Sequence, residues 1–337
     1  MKDIPDEVAS ILAGMTSVEA SNNFAVHGNY TTTGKPLFGG DPHLGCKIPA
    51  FWQQMEVAFK DNEGNPQSVI GGSIPGVPAI IIGHSLYLAW SQTSPHADNT
   101  DLWQEHLNED GTKYKVDGEW RDLTIFESEL KVKGEPSMKH LVKLTHRGPL
   151  FESDLLYDAQ RKIFSWPANR LASNVNLSLG WGGFYKEDHV FKYFLQIHTA
   201  KTVPQLMEAF DEIGKDGYFG VSMNFIMADT SGNIGYKMLL PTIKRKDPTP
   251  FIGCRILDGS VSAYDWEGHM PLSANPQSLN PRRGFIATAN NRQVPDNVTT
   301  DIGAGNVETP RSVRINEFFT DLLKEGRRIS LDDIAAL

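Results

Sequence analysis

From Asn23 onward, short apolar or alternating runs recur between clusters of Gly, Pro and Asn. Runs of this kind bounded by turn residues predict strands: Phe24 to Val26, Phe51 to Phe59, Val77 to Ile82, Leu86 to Trp90, Leu102 to Leu107, Leu123 to Phe126 and Leu141 to Leu144. Val77 to Ile82 is the most continuously apolar of these and reads as a buried strand. Helical spacing recurs elsewhere. An amphipathic helix is expected over Asp6 to Met15, ahead of a polar connector. Another is expected over Val203 to Ile213, where Leu206, Met207, Phe210 and Ile213 share a face and Pro204 suits a first turn. Strands over Ser222 to Ala228 and Ile234 to Leu239 flank Asp229-Thr230-Ser231-Gly232-Asn233, residues suited to a hairpin turn. A strand over Gly284 to Ala289 precedes a helix from Pro310 to Glu325. Ser330 is then a candidate N-cap, with Asp332 and Asp333 in the first turn of a last helix. That helix is too short to stand alone, and Ile334 and Leu337 need a partner. The end therefore reads as a chain cut short, or one whose remainder lies elsewhere.

Composition removes several function classes. The 337 residues carry a net charge of -9, whereas phosphate binding needs clustered Lys and Arg. Lys244-Arg245-Lys246 is too short a basic run to reverse that, so no nucleic-acid partner is expected. No apolar run approaches the roughly 20 residues of a membrane span. The two cysteines, Cys46 and Cys254, are too few and too far apart for a thiolate zinc site, and a disulfide between them stays open. The opening MKDIPDEVAS is acidic and polar, unlike a secretory signal, and the compartment stays open. Sequons begin at Asn29, Asn176 and Asn297, but without a signal they carry little weight. Neither H-E-x-x-H nor a phosphate loop occurs.

Four segments carry candidate chemistry: SNNFAVHGNYTTTGKPLFGGDPHLGCKIPAFW from Ser21, IPGVPAIIIGHSLYLAWSQTSPHADNTDLW from Ile74, SMNFIMADTSGNIGYKMLLPTIKRK from Ser222, and GFIATANNR from Gly284. In this order, with a Tyr-Asp-Trp turn near Tyr264, they resemble the penicillin acylase (penicillin amidase) family of N-terminal-nucleophile hydrolases. The resemblance runs from about Ser21 to the C-terminus. It implies an α+β fold, a four-layer αββα sandwich of two antiparallel sheets flanked by helices, apparently truncated here. It also implies that residues 1–20 are a leader cleaved off by the precursor itself. Residues 21–337 would then form the β-subunit-like catalytic domain, without its C-terminal part.

The same resemblance assigns roles residue by residue. Ser21 falls on the nucleophile, and His43 on the residue that orients its amine. Ser94 falls where a backbone N–H forms part of the oxyanion hole, after the Trp90 and Thr93 strand, and Asn224 falls where a side-chain amide completes it. Arg245 falls on an arginine near the active site. Asp98, Thr100 and Asp101 match a calcium loop of two carboxylates and a carbonyl, oxygen ligands of the kind Ca²⁺ prefers. One structural calcium and no organic cofactor are thus expected. The family's substrates are N-acyl amides, including β-lactam side-chain amides and acyl-homoserine lactones. A separate α-subunit-like chain is an expected partner, and relatives are often periplasmic or secreted.

Chemistry explains why the serine must come first in the mature chain. A hydroxyl is a weak nucleophile until a base removes its proton. An α-amino group, with an ordinary pKa near 7.7–8.0, supplies that base from the same residue near neutral pH. Two rival readings differ in kind. Gly83-His84-Ser85 after an apolar run resembles a nucleophile elbow, G-x-S-x-G, with Tyr87 in place of the last glycine. Alternatively the chain is an inert, unprocessed homologue that binds a ligand, for which its seven tryptophans would suit a groove.

Overall fold

Alternation along Met223–Asp229 shows how the layers form. Ile226 and Ala228 point into one apolar core, and Phe225 and Met227 into another, so both faces of this strand are buried. Such a strand needs a layer on each side. The computed structural model describes residues 20–44, 48–152, 175–184, 188–249, 252–295 and 308–337. The helix expected over Asp6 to Met15, Cys46 and the sequon at Asn297 lie outside the described residues.

The chain divides into two compact units. The first gathers the described residues of Met1–Ala97, Tyr185–Thr242 and Met270–Leu337; the second gathers those of Asp98–Phe184 and Ile243–His269. Strands are numbered along the chain. The first unit holds β1 (Ala20–Val26), β2 (Leu37–His43), β3 (Gln53–Lys60), β4 (Pro66–Ser73), β5 (Ile82–Ser85), β6 (Leu88–Thr93), β14 (Met223–Asp229), β15 (Ile234–Leu239), β19 (Gln277–Leu279) and β20 (Phe285–Thr288). The second holds β7 (Thr100–Gln104), β8 (Lys113–Val116), β9 (Glu119–Asp122), β10 (Thr124–Leu130), β11 (Met138–Leu144), β12 (Leu150–Glu152), β13 (Asn176–Trp181), β16 (Ile243–Arg245), β17 (Ile256–Asp258) and β18 (Trp266–His269). Among the described residues the α-helices, all in the first unit, are α1 (Val190–Thr199), α2 (Val203–Asp216), α3 (Pro310–Lys324) and α4 (Leu331–Ala335).

In the first unit, β2-β1-β20 form one antiparallel sheet and β19-β15-β14-β6-β5-β4-β3 another. Their inner faces share a core of Ala25, Ile226, Ala228, Ile234, Tyr236, Met238 and Ile286. On the outer face of the larger sheet, Phe225 and Met227 pack with Tyr193 and Ile197 of α1 and Leu206 and Phe210 of α2. On the outer face of the smaller sheet, Val26, Phe285 and Ala287 pack with Ile315, Phe319 and Leu322 of α3. The layers therefore run helix, sheet, sheet, helix, the expected αββα order. Fully burying each such side chain stabilises by about 1.5–3 kcal/mol, so these cores hold the layers together.

Local chemistry fixes the joints. Asp229 receives N–H bonds from Ser231 (2.9 Å) and Asn233 (3.0 Å) of its hairpin and from Val203 (2.8 Å), the first residue of α2. One carboxylate thus closes the turn and complements a helix N-terminus. Gly235 faces the same helix, and a side chain there would collide with Val203. Thr309 and Ser330 form capping boxes at α3 and α4. Ile334 and Leu337 do find a partner, the core beneath α3.

The segment from Val77 to Ile82 departs from expectation. Only Ile82 enters a strand; residues 77–81 are irregular although Ala79, Ile80 and Ile81 are buried. Pro78 lacks the N–H that a central ladder needs. Side chains satisfy this backbone instead: Ser73 donates to Ala79 O, Trp90 to Ile80 O and Gln92 to Ile81 O, while His198 Nε2 accepts from Ile80 N–H.

In the second unit, β12-β13-β7-β17 form a mixed sheet, with β17 parallel to β7. Pairs β8–β9, β10–β11 and β16–β18 complete it. Arg147 and Glu105 pair in its interior, with both side chains almost fully buried.

Candidate active site

β1 is the central strand of the smaller sheet, and Ser21 is its second residue, opposite Pro42 of β2. The peptide N–H of Ser21 donates to Asn290 Oδ1 (2.8 Å), and its carbonyl accepts from Arg311 Nη1 (2.7 Å). Both backbone groups of the candidate nucleophile are therefore held by side chains. Asn290 also donates from Nδ2 to the carbonyl of Ser94 (3.0 Å), which follows β6 in the other sheet. One amide thus spans from the strand that carries Ser21 to the loop expected to carry an oxyanion donor.

A second bridge lies deeper. Asn224 of β14 pairs in register with Thr93, the residue before Ser94. It is fully buried and donates from Nδ2 to Thr93 Oγ1 (3.1 Å), while its Oδ1 accepts from the Tyr236 hydroxyl (2.8 Å). Burial pushes that hydroxyl well above its ordinary value of 10.0, so it stays a protonated donor. Thr93 Oγ1 meets Thr288 Oγ1 (2.7 Å), which donates in turn to Asn23 Oδ1 of β1. This polar chain crosses the inter-sheet core two residues from Ser21. The structure thus gathers Ser21, Ser94 and Asn224 at one end of the stacked sheets, with the amide of Asn224 fixed from both sides.

His43 ends β2 opposite Ala20, the residue before Ser21. Its ring Nε2 lies 2.7 Å from Asp41, and both side chains are substantially exposed. Its backbone is thus beside the nucleophile, and its ring is on the surface carboxylate.

Pro42 also lines an apolar cavity of about 900 Å³, with Phe38, Trp52, Met55, Ile82 and Trp90 among its walls. Gly40 contributes to it where a side chain would collide with Ser91. Apolar clefts of this size with a few polar groups at one edge are the usual form of small-molecule sites.

Arg245 and the expected calcium residues lie in the second unit. Arg245 grips Asp101 with two hydrogen bonds, Nε to Oδ2 (2.8 Å) and Nη2 to Oδ1 (2.9 Å), and its Nη2 lies 3.2 Å from Asp98 Oδ1. Trp266 Nε1 donates to Asp101 Oδ2 as well (2.5 Å). Gly253 packs onto this cluster so closely that a side chain there would collide with Asp101 and Asp98. Thr100 is exposed, and its hydroxyl meets Asn99 Oδ1 (3.4 Å). The two carboxylates do converge on a cation, but that cation is a guanidinium. In this structure Arg245 meets both carboxylates, and among the described residues no group of three or more His, Cys, Asp or Glu is placed to hold a metal.

Ser85 is the last residue of β5. Its Oγ accepts from the N–H of Tyr87 (3.1 Å) and Leu88 (3.0 Å), closing the β5–β6 hairpin. A strand follows where an elbow needs a helix.

Asn290 and Arg311 escaped sequence reasoning. Asn290 stands in the GFIATANNR segment without an assigned role, and its left-handed backbone (φ 63°) is uncommon for a residue other than glycine. Such outliers cluster at functional sites.

Residues 2–337 match the penicillin amidase family. The chain belongs to that family. Relatives include the acyl-homoserine lactone acylase QuiP of Pseudomonas aeruginosa, 28% identical over 83% of this chain and 31% of its own length. Penicillin acylase 2 proenzyme of Pseudomonas sp. (strain SE83) is likewise 28% identical, over 83% of this chain and 33% of its own length. This penicillin amidase family chain therefore spans about a third of the curated relatives it matches. In structure it is similar to a thermostable penicillin G acylase from Alcaligenes faecalis, with a TM-score of 0.71 and 19% identity. That likeness covers 93% of this chain and 51% of the acylase, and it shows the shared fold.

Proposed function

We propose that the chain is the catalytic portion of an amide hydrolase whose nucleophile is Ser21 once cleavage after Ala20 makes it N-terminal. The observation that carries this is the fixed backbone of Ser21, with its nitrogen on Asn290 and the same amide on Ser94. Membership of the family and the acylase names of its relatives support amide chemistry.

The steps follow from the groups present. Ser21 Oγ attacks the amide carbonyl while its proton passes to the α-amine of the same residue. The negative charge that develops on the carbonyl oxygen is met by Ser94 N–H and Asn224 Nδ2, preorganised donors in a water-poor setting. The carbon–nitrogen bond breaks as the leaving amine takes the proton, and an acyl ester remains on Ser21. Water then attacks that ester, giving its proton to the α-amine. The ester bond breaks, Ser21 Oγ is reprotonated, and the acid departs.

The cavity lined by Pro42, Trp52 and Trp90 supports an N-acyl substrate with an apolar acyl group, as in penicillins or acyl-homoserine lactones. A separate α-subunit-like chain belongs to the same reading. What supports it is the exposed apolar surface of the β10–β11 ribbon, with Phe126, Leu130, Met138 and Leu141 about half exposed.

Intact mass and a panel of chromogenic N-acyl amides test the proposal. Loss of residues 1–20, turnover of at least one amide, and inactivity of Ser21→Ala are expected. An active protein that retains Met1, or an active Ser21→Ala variant, would sink it. A stable full-length chain that binds acyl compounds without turnover would instead establish the inert homologue.

A further inference from the structure

Arg311 occupies an unfavourable position for its charge. It is the second residue of α3, where the helix dipole disfavours a cation, and burial lowers its pKa from the ordinary arginine value. A guanidinium held there against both costs has a compensating role. Its fork makes three contacts. Nη1 donates to the carbonyl of Ser21 (2.7 Å) and to Asn22 Oδ1 (2.7 Å), and Nη2 donates to Asn290 Oδ1 (3.1 Å). The last oxygen is the one that accepts from the nitrogen of Ser21 (2.8 Å).

We propose that Arg311 is a positioning residue that fixes Ser21 and keeps its freed α-amine unprotonated near neutral pH. This rests on the reading of Ser21 as an N-terminal nucleophile. Two effects act together. A guanidinium does not lose its proton in a protein, so a fixed positive charge stands within two hydrogen-bond lengths of the amine. A neighbouring like charge disfavours the ammonium form. By engaging Asn290 Oδ1, Arg311 also weakens the acceptor that holds that nitrogen, and an acceptor left whole would favour the ammonium.

Every charged group facing this corner enters the balance. β2 contributes Asp41 and His43, which lie 2.7 Å apart on the surface, and the exposed, solvent-screened carboxylate of Asp41 offsets part of the charge of Arg311. The loop after β6 contributes His96, whose pKa is lowered by burial and then by Arg311, leaving it neutral at pH 7. β20 brings no charged side chain, and Arg292 follows two residues after Asn290. β6 and β14 offer only neutral groups at this end, Thr93 and Asn224. Arg311 is therefore the cation that holds the Ser21 carbonyl and shares Asn290 Oδ1 with the Ser21 nitrogen.

The test is the acid limb of the kcat/KM profile on a chromogenic N-acyl amide, measured on protein shown by mass to begin at Ser21. In the wild type the limb is expected below the ordinary amine range of 7.7–8.0. Arg311→Gln and Arg311→Met should move it up by about one pH unit, as loss of a close like charge implies. Arg311→Lys should keep the limb in place while lowering kcat, because charge survives and the fork does not. A limb unmoved in both neutral variants, with activity lowered equally at every pH, would mark Arg311 as structural only and overturn the proposal. Should neither neutral variant mature, Arg311→Lys decides: a limb at the wild-type position supports the charge effect, and a displaced one refutes it. Failure of the nucleophile reading looks different, since active protein would then retain residues 1–20.

Discussion

Replacing Arg245 with methionine removes one partner from a buried ion pair and should destabilise the second unit by roughly 3–5 kcal/mol. The structure supports the upper part of that range. Asp101 has no exposed side-chain surface, Arg245 supplies a hydrogen bond to each of its oxygens, and the indole of Trp266 alone would remain. Methionine replaces much of the apolar stem but leaves a desolvated carboxylate. With a urea slope of about 2 kcal/mol per molar, the unfolding midpoint of that unit should fall by roughly 1.5–2.5 M. Tryptophan fluorescence reports this directly, because Trp103 and Trp266 lie 5.7 Å apart in the same unit. Adding Asp101→Leu to Arg245→Met should recover part of the loss, since it removes the Asp101 charge while the nearly buried Asp98 carboxylate still loses the guanidinium. A single variant that loses less than about 1 kcal/mol, or a double variant no better than the single, would refute the reasoning. Chelation is the companion measurement. Because the guanidinium already occupies the carboxylates, a calcium chelator should leave the wild-type midpoint where it is, and a fall would show that Asp98 and Asp101 hold a metal instead.

Four further outcomes are expected. Asn224→Ala should lower kcat by about 100- to 1,000-fold through loss of an oxyanion donor, and a variant within about tenfold of wild type would remove Asn224 from the mechanism. The same change should cost about 1–3 kcal/mol in a thermal melt, because the Tyr236 hydroxyl loses its buried acceptor. His269 has its pKa pushed down by burial from 6.5 to about 4. Its contribution to stability is therefore full above pH 6.5 and is lost as pH falls from there towards 4. Urea midpoints of the wild type should decline across that window, and those of His269→Asn should decline less; parallel curves would contradict this. Thr309→Ala should destabilise by about 1 kcal/mol in thermal unfolding by deleting the N-cap of α3. An unchanged melt would show that the cap is dispensable.

How far the sequence reached depends on where the deciding interaction lies. Ile234 to Leu239, the helix near Val203 and the cap at Ser330 were legible because period, turn residues and caps act over a few positions. Val77 to Ile82 misled because its apolar content reports burial, whereas its backbone is satisfied by Ser73, Trp90, Gln92 and His198, which no local pattern reveals. The site divides in the same way. Ser21 and Asn224 sit on strands and Ser94 just after one, in segments that resemble the family's, and the fold brings them to one end of the sheets. Asn290 and Arg311 look ordinary in sequence, an amide after a strand and an arginine at a helix start. They gain meaning only because β1 lies beside β20, which brings positions 21 and 290 into hydrogen-bond contact. Asp98 and Asp101 make the point most sharply. Two carboxylates spaced to face a cation look the same whether the cation is a metal ion or a guanidinium. Here Arg245, far along the chain, meets that charge with a planar fork that fits both oxygens of Asp101. A local motif thus specifies the charge that must be met, and the tertiary fold specifies what meets it.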